Sequence, residues 1–270
     1  MRLLVCIVTH RPPEICRPVI DFVLKTCSES QVLLINNGRD PSDFPPCDTF
    51  LNPRVVIMHI YVNVGHTGGT NFGIKYAFEK GYDFFLKLDD DMRFITEDWY
   101  QKCIDLMNFD KDMGVIGAKV LNPDGKTVQQ CCSRLFPSGL WYNFGEPREK
   151  LELQRIVRVS CIPSTFWFMR VEHMRKVGYM DLLFSPAQGD DTDYCWRMWQ
   201  SGLSCVYDGR IEVVHYWQSQ KEHPERNLWI RSHFAAQDLK YKGYFRFGLE
   251  LEEHIDKLGR EIVLPHQKKK

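Results

Sequence analysis

Apolar residues in the first half of the chain fall in short continuous runs separated by polar segments rich in turn residues. Leu3–Val8, Val32–Ile35, Val55–Ile60 and Phe84–Leu88 are four such runs, the first, second and fourth stopped by Pro12-Pro13, Asn36-Asn37-Gly38 and Asp89-Asp90-Asp91 respectively. Runs this short and this apolar fit strands buried on both faces, and strands of that kind pair in parallel. Between the third and fourth runs, Thr70–Lys80 predicts a helix. Thr67-Gly68-Gly69 gives it an irregular start, Phe72, Ala77 and Phe78 can face inward, and Gly81 closes it. Strand, helix, strand in alternation points to an α/β sheet.

The second half is more mixed. Glu97–Phe109 predicts an amphipathic helix with Trp99, Cys103 and Met107 on one face, followed by strand-like Gly114–Val120 and a turn at Asn122-Pro123-Asp124-Gly125. Cys131–Glu149 mixes aromatics with Pro and Gly without a period, which predicts an ordered loop or lid. Ser160–Met169 is apolar, Val171–Val177 reads as a short helix, Asp190–Ser201 as a helix with an acidic start, and Leu203–Val214 as strand ending at His215. Beyond Gln220 the pattern predicts a helical arm, with Lys268-Lys269-Lys270 disordered.

Composition narrows the class. At 270 residues, 44% apolar and 26% charged, the chain can bury one large core, which excludes wholesale disorder and a many-domain machine. Lys plus Arg (35) equals Asp plus Glu (35), so no global field attracts nucleic acid or acidic membrane. Leu3–Val8 is too short for a signal-peptide core and no run reaches the length of a transmembrane segment, so the expectation is a cytoplasmic protein with its ten cysteines reduced.

Ligands of open α/β sheets bind beyond the carboxyl ends of the strands. That rule selects Thr9-His10-Arg11, Asn36-Asn37, the segment from Asn63 to Gly69, Asp89–Asp91 and His215. Three carboxylates at a strand end repel one another unless a cation is present, and hard oxygen ligands favour Mg²⁺ or Mn²⁺ shared with a substrate phosphate. The glycines from Gly65 to Gly73 either let backbone N–H groups reach an anion or let a helix pack closely. Asp190-Asp191-Thr192-Asp193 opens a helix, where capping accounts for one carboxylate and leaves another free to act as a base.

Taken together and in order over about residues 3 to 217, these motifs resemble the family 2 glycosyltransferases, which have the GT-A fold. Leu3-Leu-Val-Cys-Ile-Val-Thr-His-Arg11, Val32-Leu-Leu-Ile-Asn-Asn-Gly38, Asn63-Val-Gly-His-Thr-Gly-Gly-Thr-Asn-Phe-Gly73, Leu88-Asp-Asp-Asp91, Gly178-Tyr-Met-Asp181, Gly189-Asp-Asp-Thr-Asp193, Arg197, Gly202 and His215 carry the resemblance. It implies a mixed, mostly parallel sheet flanked by helices, divided into a nucleotide-sugar half (1–95), an acceptor half (96–217) and a C-terminal helical arm (218–270). It implies a metal-dependent inverting hexosyl- or pentosyltransferase using Mn²⁺ or Mg²⁺. Asp91, His215 and Asp89 would hold the metal, and Thr9, His10, Arg11, Asn36, Asn37, Gly68, Gly69, Asn71, Asp89 and Asp90 would line the nucleotide-sugar site. Asp191 would be the catalytic base, with Asp190, Asp193, Arg197 and Trp167 on the acceptor side. Asn36 stands where the family usually has Asp and Asp190 where it usually has Glu, which leaves base preference open between a UDP-sugar, the first choice, and GDP- or dTDP-sugars.

The acceptor is expected to be a hydroxyl on a glycan or glycoconjugate. Hydroxylated bases of viral DNA are the alternative, because Trp217, Lys221, His223, Arg226, Trp229, Arg231, His233, Lys240, Lys242 and Arg246 give the arm a basic and aromatic character. Two further readings stand beside these, a nucleotidyltransferase of related architecture and a nucleotide-sugar-binding protein without activity.

Overall fold

The computed structural model describes residues 1–135, 141–144, 154–216 and 225–264. In chain order the elements are β1 (Leu3–Thr9), α1 (Pro13–Thr26), β2 (Ser30–Asn37), α2 (Asp48–Leu51), β3 (Val55–Ile60), α3 (Gly65–Lys80), β4 (Phe84–Asp89), β5 (Met92–Phe94), α4 (Trp99–Phe109), β6 (Met113–Leu121) and β7 (Val128–Gln130). They continue with β8 (Cys132–Leu135), β9 (Trp141–Phe144), β10 (Ile156–Arg158), β11 (Phe166–Arg170), α5 (Val171–Val177), α6 (Asp190–Gln200), β12 (Ser204–His215), α7 (Arg226–Lys240) and α8 (Tyr244–Leu258).

The main sheet runs β10-β12-β6-β11-β4-β1-β2-β3, with β5 against β12 and β7 against β6. The four strands of the first half are parallel to one another, and β6 is parallel to β12, while β11 lies antiparallel between β4 and β6. This is the mixed, mostly parallel sheet the sequence predicts. Alternation along β1 divides the core: Leu3, Val5 and Ile7 pack beneath α1 and α4, and Leu4 and Cys6 face α3, α5 and α6.

Three differences from the sequence reading have physical causes. Helix α1 stands where that reading has only a break at Pro12-Pro13. Pro13 occupies the first helical turn, which needs no N–H, Pro18 lies on the exposed side, and Cys16, Val19, Ile20 and Val23 form the buried stripe. Helix α3 begins at Gly65 rather than Thr70, so its glycines are inside the helix, and Phe72 is 40% exposed rather than turned inward. Close packing explains the glycines: a Cβ on Gly69 would sit 2.5 Å from Val8, and one on Gly73 would sit 2.2 Å from the Cys6 sulfur. The segment predicted as a loop or lid contains an antiparallel pair, β8 with β9, while 136–140 and 145–149 lie outside the described residues.

Helix α8 docks on α6 through Trp196, which packs against Tyr244, Leu251 and Ile255, and α7 reaches α6 through the ion pair of Lys240 with Asp193. Lys268–Lys270 lie outside the described residues. All ten cysteines are free thiols. Among the described residues no helix is long and apolar enough to cross a membrane.

Candidate active site

Strand β4 ends in the acidic triplet, and its parallel neighbour β1 and the antiparallel pair of β5 with β12 bring other strand ends beside it. Val8 of β1 pairs with Asp89, and His215 at the end of β12 pairs with Met92. The three carboxylates then have three different fates. Asp90 is a structural anchor: it accepts Thr9 Oγ1 at 2.6 Å and the Arg11 guanidinium, including Nε at 3.1 Å. Burial pushes its carboxyl upward against the pull of Arg11. Asp91 Oδ2 accepts Arg11 Nη1 at 2.9 Å, whereas its buried Oδ1 accepts no hydrogen bond among the described residues. Asp89 takes the ammonium of Lys87, a lysine almost fully buried within the strand.

His215 faces this unpaired oxygen. Its Nε2 is 3.1 Å from Asp91 Oδ1 and 3.5 Å from Asp89 Oδ2, while its Nδ1 lies 2.7 Å from Gln129 Oε1. An amide oxygen only accepts, so Nδ1 carries a proton; with Nε2 protonated as well the ring is a cation paired with the two carboxylates, and once Nε2 gives up its proton a lone pair faces them. Burial raises the Asp89 carboxyl, but Lys87, His215 and His66 outweigh it and hold it well below the usual range. Asp91 is likewise held low, by His215 and Arg11 against burial. Both stay ionised in neutral solution. Among the described residues no three His, Cys, Asp or Glu side chains form a closed metal cage, so a cation here would take its remaining ligands from substrate or water.

The second acidic cluster opens α6. Asp190 accepts Thr67 Oγ1 at 3.3 Å and lies 3.4 Å from His66 Nδ1, and His66 holds it ionised against the cost of burial. The other ring nitrogen of His66 is 3.7 Å from Asp89 Oδ1. One imidazole thus spans the two acidic clusters. Asp191 keeps part of its surface accessible and borders a cavity of about 230 Å³ together with Cys161, Gly189, Thr192, His233 and Phe234. Burial and the neighbouring Asp190 push its carboxyl up to about 7. A larger cavity, about 570 Å³ and mostly apolar, lies along α3 at Gly68, Phe72, Tyr179 and Leu182 and includes none of these carboxylates.

Several expected site residues do other work. Asn36 is fully buried and closes the turn after β2: Nδ2 donates to the Arg39 carbonyl and to His59 Nδ1, and Oδ1 accepts Arg39 N–H. The side chain is thus committed within the protein, which explains the amide, since a carboxylate could not make both donations. Asn37 bridges Asn63, Val64 and Gly65, and Asn71 clamps the Met180 backbone in both directions. Gly68 and Gly69 serve packing, because Asn63 and the Pro186 carbonyl already take the N–H groups of Gly65, His66 and Thr67. His10 is exposed at the end of β1.

On the acceptor side, Trp167 is corrected to a core residue. It is 1% exposed, stacks on Tyr194 at 5.4 Å and donates Nε1 to the Ile162 carbonyl. Asp193, wholly buried, holds Arg197, Lys240 and Tyr241, and Arg197 also reaches the Val177 carbonyl. These residues tie α6 to α7 instead of facing an acceptor. Of the arm's basic and aromatic residues, His233 is buried and Lys240 is committed to Asp181 and Asp193, while Trp217, Lys221 and His223 lie outside the described residues. The sequence reading selected the segment that holds His66 without giving that residue a role, and it missed Lys87 and Gln129. A lysine inside an otherwise apolar strand was the visible signal for Lys87; Gln129 gave none.

The sequence profile of glycosyl transferase family 2 matches residues 4–178. The chain belongs to glycosyl transferase family 2. No curated protein sequence matches it. Among solved structures, GalNAc-T7 with UDP, GalNAc and Mn²⁺ superposes with a TM-score of 0.61 at 15% identity, over 80% of this chain and 43% of that one. S. aureus TarS 1-349 in complex with UDP superposes with a TM-score of 0.56 at 12% identity, over 86% of this chain and 65% of that one. The chain therefore spans less than two thirds of either neighbour and shares their GT-A fold. The family match carries β1, β2, α3 and Asp89–Asp91 and ends at Gly178, before α6 and the end of β12.

Proposed function

We propose that this family 2 protein transfers a sugar from a nucleoside-diphosphate sugar, a UDP-sugar first, to an acceptor hydroxyl with inversion at the anomeric carbon. The observation that carries this reading is His66, 3.7 Å from Asp89 and 3.4 Å from Asp190, which joins a metal-suited strand end to a base-bearing helix start. The two solved neighbours hold UDP, one of them with Mn²⁺, and that supports the same choice of donor and ion.

Mn²⁺ or Mg²⁺ fits the donors present. Asp91 Oδ1 is buried and His215 Nε2, once it gives up its proton, aims a lone pair at it, an arrangement that suits a cation between them, with Asp89 adjoining. When bound, the cation supplies Lewis-acid neutralisation of the departing diphosphate. Gln129 fixes the His215 tautomer, and Arg11 with Thr9 fixes the backbone of the triplet through Asp90. Asp191, with its carboxyl near 7, takes the proton of the attacking hydroxyl as the new C–O bond forms and the bond to diphosphate breaks. Asp190 is committed to His66 and Thr67, so one base and no carboxylate nucleophile favour a single displacement.

A glycan or glycoconjugate hydroxyl is the acceptor this reading favours. The inward commitment of His233 and Lys240 weakens the case for DNA, and family membership sets aside the nucleotidyltransferase. Asp191→Asn and Asp91→Asn separate the roles: the first is expected to abolish transfer while UDP still binds with Mn²⁺, the second to lose metal-dependent UDP binding. Undiminished transfer by Asp191→Asn overturns the assignment of the base, and a chain that binds UDP but never releases it from a UDP-sugar is a binding protein.

A further inference from the structure

Asp191 is the second residue of α6, and the two residues before that helix, Gln188 and Gly189, both have left-handed backbone, with φ of 81° and 84°. An L residue such as Gln188 keeps that conformation only where its surroundings over-determine it. Here the surroundings come from α7. His233 Nδ1 donates to the Gln188 carbonyl at 2.6 Å, and Gln237 Nε2 donates to the Gly189 carbonyl at 2.8 Å. Both side chains are buried, at 7% and 2% exposure. The Gly189 carbonyl also accepts the Asp193 amide at 3.0 Å, so the same oxygen starts α6.

Residues 233, 237 and 241 are spaced by four and share one face of α7. Tyr241 continues the pattern, donating its hydroxyl to Asp193 Oδ1 at 2.8 Å. The helix therefore grips the backbone that aims the Asp191 carboxylate and leaves the carboxylate itself open to the small cavity, which His233 and Gln237 also border.

We propose that His233 and Gln237 are positioning residues for the transfer, holding the Gln188 and Gly189 carbonyls so that α6 presents Asp191 to the acceptor hydroxyl. This rests on the reading of Asp191 as the base. It makes catalysis depend on a helix far beyond the span the family profile matches. Without the two donors, Gln188 can relax from its left-handed conformation and the first turn of α6 rotates. A displacement of about 1 Å at a catalytic group can cost about a hundredfold in rate.

The groups that face Asp191 are Asp190 from its own helix, Lys87 from β4, His233 from α7 and the Cys161 thiol from the segment between β10 and β11. A carboxylate turned out of that setting returns toward the ordinary range, so the pH profile reports its orientation.

The test uses the full chain with Mn²⁺, UDP-glucose and UDP-N-acetylglucosamine as probes, UDP release as the activity, and backbone amide exchange as a readout that needs no substrate. His233→Leu, Gln237→Leu and the isosteric Gln237→Glu each remove a donor. The expected result is wild-type Kd for UDP, at least tenfold faster amide exchange confined to 188–193, at least tenfold lower kcat at unchanged donor KM, and a rising pH limb moved to lower pH. His233→Asn, whose amide can reach the position of Nδ1, is expected to restore all of these. Unchanged exchange at 188–193 in the three donor-removing variants overturns the proposal, as does a loss that His233→Asn shares equally with His233→Leu. Asp191→Asn run alongside distinguishes the two failures. If it keeps full activity, the base assignment falls and this inference with it. If it is inactive while the arm variants keep wild-type kcat and pH profile, only the positioning role falls.

Discussion

His215 Nε2 faces Asp91 Oδ1 across 3.1 Å, and the opposite nitrogen of the same ring is held by Gln129 at 2.7 Å. The second contact sets the first, because the amide oxygen requires a proton on Nδ1 and leaves Nε2 able to accept a metal. Gln129→Leu is therefore expected to weaken Mn²⁺ binding about 10- to 100-fold, the usual effect of removing the group that orients a metal-binding histidine. Calorimetric titration of Mn²⁺ in the presence of UDP checks it, and an unchanged affinity contradicts the role given to Gln129.

The raised Asp191 carboxyl predicts a pH dependence with a definite sign. A base acts when deprotonated, so log kcat/KM rises with unit slope below pH about 7 and levels off above it. Stability runs the other way. The native state holds this proton more tightly than the unfolded chain, so the contribution is full below the ordinary Asp range near 3.8 and is lost as pH rises through about 7. Asp191→Asn should accordingly raise Tm by a few degrees at pH about 8 and by little at pH about 4, as thermal melts at the two pH values would show.

Arg11 is expected to matter for stability as well as for ligands. It is the cation that pairs Asp90, whose side chain is 5% exposed. Arg11→Met leaves that carboxylate buried without a charge partner, at a cost of about 3 kcal/mol, the lower end for a broken buried pair. Denaturant unfolding measures this directly. A cost below about 1 kcal/mol contradicts the anchoring role.

The glycines of α3 offer a separate check. Gly73→Ala places a methyl group 2.2 Å from the Cys6 sulfur if nothing moves, and overpacking of this kind costs about 1 to 3 kcal/mol. Because Gly73 is read as a packing residue, the variant is expected to lose Tm while keeping its Kd for UDP.

The sheet was legible because strands buried on both faces leave continuous apolar runs, as Leu3–Val8 and Val32–Ile35 do. Helix α1 was hidden behind prolines that its first turn and its exposed side tolerate. The acidic triplet and Asp190-Asp191 announced themselves as charge at strand and helix ends. What the sequence could not assign was which carboxylate each cation would take. Asp90 and Asp91 look alike in the chain, and only the fold, by bringing Arg11 and Thr9 to one and His215 to the other, makes the first a brace and the second a candidate ligand. The partners of Asn36 were hidden for the same reason: Arg39 and His59 lie on a turn and on β3 that only the folded chain brings together.

The central claim is a UDP-sugar site that depends on a divalent cation held at Asp91 and His215. It is tested most directly by the thermal midpoint of the chain with UDP, with and without Mn²⁺, and again after EDTA, since a ligand of the folded state raises the midpoint by mass action. The account predicts a rise with UDP and Mn²⁺ together that disappears with EDTA and in Asp91→Asn. No rise with UDP under any of these conditions, or a rise that EDTA and Asp91→Asn leave intact, would contradict it.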